Sequence, residues 1–290
     1  MEQKVRKGRR IKRKTVNKIL INVVLAISLV LVLMPLVFMF FSSFKTFEDA
    51  ITHTASLFPH EWTFGNFTTV FKEFPFLRYL GNSIFVTVMA CIGTTLSSAL
   101  VAYGFARFQV KIKNFIFLLM LATIFIPGQV LQIPLFEMYR EFHWFNTYLP
   151  FIVPAFLGGG IVNVFLIRNF FAALSKEFFE SAQLDGASEL RIFAQIVIPL
   201  AMPIILTVAI FSFVGNWNDF YSPLLYLTDD MKYTLAYGLY ITFDKFKVAG
   251  QTAWNLICAS NLVVILPIIV LYFLCQKYFV EGITVGGVKG

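Results

Sequence analysis

Residues 180–199 read Glu180-Ser181-Ala182-Gln183-Leu184-Asp185-Gly186-Ala187-Ser188-Glu189-Leu190-Arg191-Ile192-Phe193-Ala194-Gln195-Ile196-Val197-Ile198-Pro199, a polar stretch set among long apolar runs. Charged side chains in hydrocarbon are costly, so this stretch belongs at a membrane face while its neighbours lie within. Composition supports that division: 58% of the 290 residues are apolar, 14% are charged and mean hydropathy is +0.75. A water-soluble single domain of this size would expose far too much apolar surface.

Working outward, six uncharged runs are long enough to cross a hydrocarbon core of about 30 Å, which takes roughly 20 helical residues. They are Ile19–Phe44, Tyr79–Ala106, Asn114–Phe136, Trp144–Ile167, Ile192–Asn218 and Ala249–Gln276. The fifth starts as a surface helix, enters the membrane near Ala201 and continues past Asp219 to about Leu227. No strand alternation is present, so helices are the spanning solution that satisfies the backbone internally. The expected fold is therefore an all-α membrane protein of six transmembrane helices.

Basic residues set the orientation. With the N-terminus inside, the inner segments 1–18, 107–113, 168–200 and 277–290 hold 17 of the 24 Lys and Arg, and the outer segments hold 7. Both termini are thus expected in the cytoplasm of a prokaryotic cell membrane. Nine of the basic residues lie in the arm 1–18, so the net charge of +8 is mostly a topology signal and an attraction to anionic lipid, with no nucleic-acid partner implied. The apolar run after the arm is about twice the length of a signal-peptide core, which argues against cleavage.

Several chemistries find little footing. Cys91, Cys258 and Cys275 fall inside spans and read as small packing residues. His53, His60 and His143 sit in outer loops without the spacing of a metal motif, so no metal site is expected. There is no Gly-x4-Gly-Lys-Ser/Thr loop and no nucleophile elbow, so the chain is not expected to be an enzyme or to bind a cofactor itself.

In the inner segment 168–200, Ser175 can cap a helix with Glu177 in its first turn. Asp185-Gly186 makes a turn, with Asp185 free to cap a second helix. Leu190, Phe193, Val197 and Leu200 give that second helix an apolar stripe. The result is a helical hairpin at the surface, with Glu180, Asp185, Glu189 and Arg191 facing out. A solvated connector is the plain alternative.

The order Glu180-Ser181-Ala182, Gly186, Ile196-x-Ile198-Pro199 resembles the EAA loop of integral membrane subunits of binding-protein-dependent ABC importers, with Ser181 for the usual Ala and Ile198 for the usual Leu. Further segments resemble the carbohydrate class, the second permease of the maltose and oligosaccharide type. These are Asn82-Ser83, Ala102-Tyr103-Gly104-Phe105-Ala106-Arg107, Ile126-Pro127, Asn146-Thr147, Arg168-Asn169-Phe170-Phe171, Trp217-Asn218, Pro223-Leu224 and the tail from Tyr278 to Gly290.

That resemblance implies a type I ABC importer transmembrane fold: a basic arm 1–18, a first span 19–44, an extracellular loop 45–77, a core 78–276 carrying the coupling loop 168–200, and a tail 277–290. It implies a second homologous permease subunit, a cytoplasmic ATPase dimer holding ATP and Mg, an extracellular solute-binding protein and a carbohydrate substrate. Glu180, Ser181, Ala182, Asp185, Gly186, Ile196 and Pro199 would then form the contact with the ATPase. Gly286, Gly287 and Lys289 would add a second contact, or else simply end the chain.

A transport path needs polar groups within the spans, because these are costly in lipid and face a partner or a cavity. Pro127-Gly128-Gln129 and Gln132-Ile133-Pro134 interrupt the third span, and Gly215-Asn216-Trp217-Asn218-Asp219-Phe220-Tyr221 gathers amides, a carboxylate and aromatics in the fifth. Candidates are Asn82, Gln129, Gln132, Asn216, Trp217, Asn218, Asp219 and Tyr221, a mixture suited to sugars, although the same groups can serve as interhelical glue. Ala90, Thr94, Ser98 and Ala102 repeat every four residues and read as a helix-packing stripe. Two other functions remain as rivals: an importer of a sugar phosphate such as glycerol phosphate, and an ion-coupled secondary carrier. The carrier would need intramembrane ionisable relays, and Asp219 alone qualifies.

Overall fold

The computed structural model describes residues 2–73, 75–243, 246–248 and 250–287; for 2–17, 176, 247, 248, 275 and 277–287 it describes the backbone only. In chain order the helices are α1 (Glu2–Ser42), α2 (Phe47–Thr52), α3 (Gly65–Glu73), α4 (Phe76–Arg107), α5 (Lys113–Ala122), α6 (Gly128–Glu141), α7 (Leu149–Ile152) and α8 (Ile161–Ala172). There follow α9 (Lys176–Leu184), α10 (Glu189–Ile192), a π-helical turn Phe193–Val197, α11 (Ile198–Leu200), α12 (Met202–Trp217), α13 (Tyr221–Tyr226) and α14 (Leu235–Thr242). A short antiparallel pair, β1 (Lys247–Val248) and β2 (Gln251–Thr252), precedes the long α15 (Trp254–Gly287).

Four stretches are long and apolar enough to cross a membrane: 18–42 of α1, α4, Leu149–Ala172, and 254–274 of α15. Two more form when bent pairs are each taken as one span, Lys113–Phe125 with Gly128–Glu141 at 99° and Glu189–Leu200 with Met202–Trp217 at 81°. Six spans result. The first bend falls at Ile126-Pro127, where Ile126 is extended, as the residue before a proline prefers to be. The other predicted interruption does not occur, because α6 continues through Pro134.

The chain divides into two compact units, Met1–Glu73 with Phe243–Val263 and Phe74–Thr242 with Val264–Gly290. The first is organised by Lys45, which is buried and donates its ammonium to the carbonyls of His53 (3.1 Å) and Ser56 (2.6 Å). Its own carbonyl accepts from the amides of Asn66 (2.8 Å) and Asn255 (3.2 Å), and Asn255 also donates to Asn66 Oδ1 (2.9 Å). A buried ammonium is tolerable when carbonyl dipoles replace its water.

The second unit is built on α4, packed against α8 and α12. Ala90, Thr94, Ser98 and Ala102 are all buried on one face of α4. Small residues there let backbones approach closely. Gly159, at φ +64°, lies so near the Thr94 carbonyl and Ser98 Oγ that a methyl group would overlap them. The core then continues through Tyr103, Phe117, Ile167, Phe171, Ile192, Val197, Ile205 and Val208.

Candidate functional site

The stretch 175–200 folds as α9, a turn and α10. Ser175 accepts a hydrogen bond from the Glu177 amide and so caps α9. Gly186, at φ +76°, takes the left-handed conformation that glycine adopts without strain, and the Ala187 amide donates back to the Ala182 carbonyl. Asp185 ends α9. The cap of α10 is Ser188, whose hydroxyl accepts from the Arg191 amide, so the expected capping by Asp185 does not occur.

The apolar stripe also differs from the one read by helical spacing. Ile192 and Val197 are buried and Phe193 and Ile196 half-buried, whereas Leu190 and Leu200 are exposed. The π turn over Phe193–Val197 adds a residue to the repeat, and the inward face rotates accordingly.

On α9, Phe179 and Ala182 point into the core while Glu180 faces solvent. Ser181 is exposed and returns its hydroxyl to the Glu177 carbonyl (2.8 Å). Asp185 and Gly186 are exposed at the tip, Ile196 is half-buried and Pro199 is exposed.

Glu189 is not free on the outside as spacing suggested. Tyr103 Oη donates to Glu189 Oε2 (2.6 Å), Arg107 Nη2 to Oε1 (3.2 Å) and Gln183 Nε2 to Oε1 (2.9 Å). Arg107 also lies over the Phe179 ring at 5.2 Å. One carboxylate thus joins the two helices of the hairpin to each other and to the end of α4. Glu189 lies before the membrane-spanning α12. The Tyr103 hydroxyl, and then Arg107, hold its carboxyl below the usual range against the opposing effect of burial. Tyr103 and Arg107, four apart on α4, share one face; that spacing was the signal available in the sequence. Beside the clamp lies a cleft of about 290 Å³ lined by Tyr103, Arg107, Phe171, Phe179 and Glu180 among others.

Of the path candidates, four meet around a cavity of about 250 Å³: Gln132, Asn216, Asp219 and Tyr221, with Tyr139, Phe151 and Tyr226 in its wall. Tyr221 Oη donates to Gln132 Oε1 (2.9 Å), linking α13 to α6. Asp219 Oδ1 accepts from the amides of Tyr221 and Ser222, and Asn216 donates to the Ser212 carbonyl (2.7 Å).

The other four lie elsewhere. Asn82 donates to the carbonyls of Met231 and Tyr233, both at 2.9 Å, and together with Asn146, whose side chain accepts from the amides of Thr228 and Asp229, fixes the loop 227–234. Trp217 is 2% exposed and stacks on Phe213 at 5.6 Å. Asn218 donates to the Val214 carbonyl, and Gln129 is exposed near the Pro127 bend. Gly286 and Gly287 end α15, and Lys289 lies outside the described residues.

The histidines hold a surprise for the reading by spacing. Asp49, His53 and His60 converge, their ligand atoms all within 4.8 Å of one another. The i, i+4 relation of Asp49 and His53 was visible in the sequence, but a turn brings His60 to them.

Up to six helical spans, with a polar helical hairpin held to the end of α4, define a multi-span membrane component. Residues 93–285 match the model of the binding-protein-dependent transport system inner membrane component family, and the chain belongs to that family. It is 35% identical over 92% of its length, and 87% of the relative's, to a probable ABC transporter permease protein, YurM, of Bacillus subtilis. It is 32% identical (88% and 91% covered) to the arabinooligosaccharides transport system permease protein AraQ of Halalkalibacterium halodurans. It is 30% identical (92% and 93%) to the sulfoquinovosyl glycerol transport system permease protein SmoH of Agrobacterium fabrum. A chain in the crystal structure of a bacterial ABC transporter involved in the import of the acidic polysaccharide alginate shares the fold, with a TM-score of 0.79 at 24% identity over 91% of this chain and 96% of that one.

Proposed function

We propose that the chain is the permease subunit of an ATP-driven importer of carbohydrate, coupled to a separate ATPase through the hairpin 180–199. The observation that carries the coupling is the hairpin tip, where Leu184 is 89% and Leu190 is 73% exposed beside the charged Glu180 and Asp185. A solvated connector gains nothing from two bare leucines, whereas a docking surface buries them in its partner and keeps charge at the rim.

ATP and Mg belong to that partner, and this chain binds neither. The orientation that places the hairpin in the cytoplasm also places both termini there. A second homologous permease subunit completes the path, and a solute-binding protein delivers substrate from outside. The Glu189 clamp gives the hairpin mechanical purchase, because a push on α9 or α10 is borne directly by Tyr103 and Arg107 at the end of α4. The arabinooligosaccharide and sulfoquinovosyl glycerol relatives support a carbohydrate as the substrate. So does the cavity at Gln132, Asn216, Asp219 and Tyr221, where amides and a carboxylate pair hydroxyls and aromatic faces pack on sugar rings.

The test is ATP-dependent uptake by the reconstituted complex. Glu180→Lys and Gly186→Pro should leave membrane insertion intact and abolish uptake, the second because proline cannot take the positive φ at that turn. Full uptake by either variant would remove the coupling role. The substrate class is tested on the cognate solute-binding protein with a panel of sugars; binding of a non-carbohydrate solute alone would contradict it.

A further inference from the structure

The outer segment between α1 and α3 carries a second, unrelated arrangement. Asp49 is buried on α2, which Thr46 caps by accepting from the Asp49 amide. His53 ends α2. Its Nδ1 lies 3.1 Å from Asp49 Oδ1 and 3.1 Å from Thr52 Oγ1. His60, eleven residues after Asp49, places its Nδ1 3.0 Å from the same Oδ1, and its backbone amide donates to Asp49 Oδ2 (2.9 Å). The two imidazoles face each other with ring centres 4.1 Å apart.

Two imidazole nitrogens and one carboxylate oxygen converge here, with all their ligand atoms within 4.8 Å of one another. Three such atoms are the donor set of a borderline metal ion: imidazole and carboxylate suit Zn²⁺ and its first-row neighbours. Bonds of about 2.0–2.1 Å in a tetrahedral Zn²⁺ site put neighbouring ligands roughly 3.3 Å apart. The separations of 3.0 and 3.1 Å from Oδ1 to the two nitrogens are close to that edge. The site is also held in place from behind: Lys45 grips the carbonyls of His53 and Ser56, fixing the turn that carries one ligand and leads to the other. The imidazoles themselves are 52% and 55% exposed and border a hollow of about 180 Å³, so an ion has access and water can complete its coordination.

We propose that Asp49 Oδ1, His53 Nδ1 and His60 Nδ1 form a binding site for a Zn²⁺-class divalent ion, which fastens the end of α2 to the turn at His60. The site is independent of transport coupling and of the identity of the substrate.

The experiment uses the full-length chain in detergent with any purification tag removed, titrated with Zn²⁺ and with Co²⁺ as a coloured probe. One ion per chain is expected, with the intense visible absorption of tetrahedral Co²⁺ and a rise in Tm on adding Zn²⁺. His53→Gln with His60→Gln removes both imidazole ligands, and should abolish the absorption and the Zn²⁺-dependent rise in Tm, read as the difference between metal-loaded and metal-free variant. Asp49→Asn serves as a second variant and should weaken Co²⁺ binding at least tenfold. Absence of binding by the wild-type chain, or equal binding by the double histidine variant, would overturn the proposal.

Discussion

At the scale of single residues, Tyr103 and Glu189 decide how firmly the hairpin is held. Tyr103→Phe removes the hydroxyl that donates to Glu189 Oε2 at 2.6 Å and should destabilise the protein by about 1 kcal/mol, read as a lower Tm in detergent. Because the folded carboxyl of Glu189 is held below its ordinary range, the stability it contributes is present at neutral pH and is lost as pH falls through that lowered value. Glu189→Gln should therefore flatten the acid limb of the Tm profile; an unchanged limb would show that the carboxylate is not the stabilising partner. Gly159→Ala is expected to cost more, since the methyl group meets Ser98 and the Thr94 carbonyl at a positive φ, and loss of folded protein on gel filtration would register it. None of these pairings was readable from the chain alone. Tyr103 and Glu189 are 86 residues apart, and their meeting depends on how α4 packs against the hairpin.

Individual elements were more legible, because hydrophobic runs and caps are local. The six spans follow from run length, and the 81° turn at Ala201 falls where the apolar stretch meets the surface helix. What local reading lacked was the register of α10. Leu190 and Leu200 look inward by a 3.6-residue repeat, yet with the π turn at Phe193–Val197 the buried residues are Ile192 and the expected Val197, five apart. Spacing likewise offers Asp185 as the cap of α10, whereas Ser188, three residues on, supplies it. Ser188→Ala should cost roughly 1 kcal/mol of local stability. Hydrogen exchange over 188–192 would report it as faster opening, with the spans unaffected; unchanged exchange would mean the cap is dispensable. The polar cavity was half visible in the same way. Asn216, Asp219 and Tyr221 came from one run, but Gln132 joins them only because α6 turns by 99° after Ile126, and Trp217 leaves them because its face of α12 is buried.

For the molecule as a whole, the hairpin proposed as the docking site and the polar cavity belong to one compact unit. A family of inner membrane transport components gives this arrangement its meaning, since a hairpin with bare leucines needs a partner. The claim that this hairpin is where the partner docks is tested most directly by the double variant Leu184→Asp and Leu190→Asp, co-expressed with the ATPase and second permease subunits of the same importer. Membrane insertion and Tm of the variant chain should match wild type, because both leucines are exposed, while the ATPase should no longer co-purify. Recovery of the ATPase at the wild-type ratio would contradict the docking role of the hairpin.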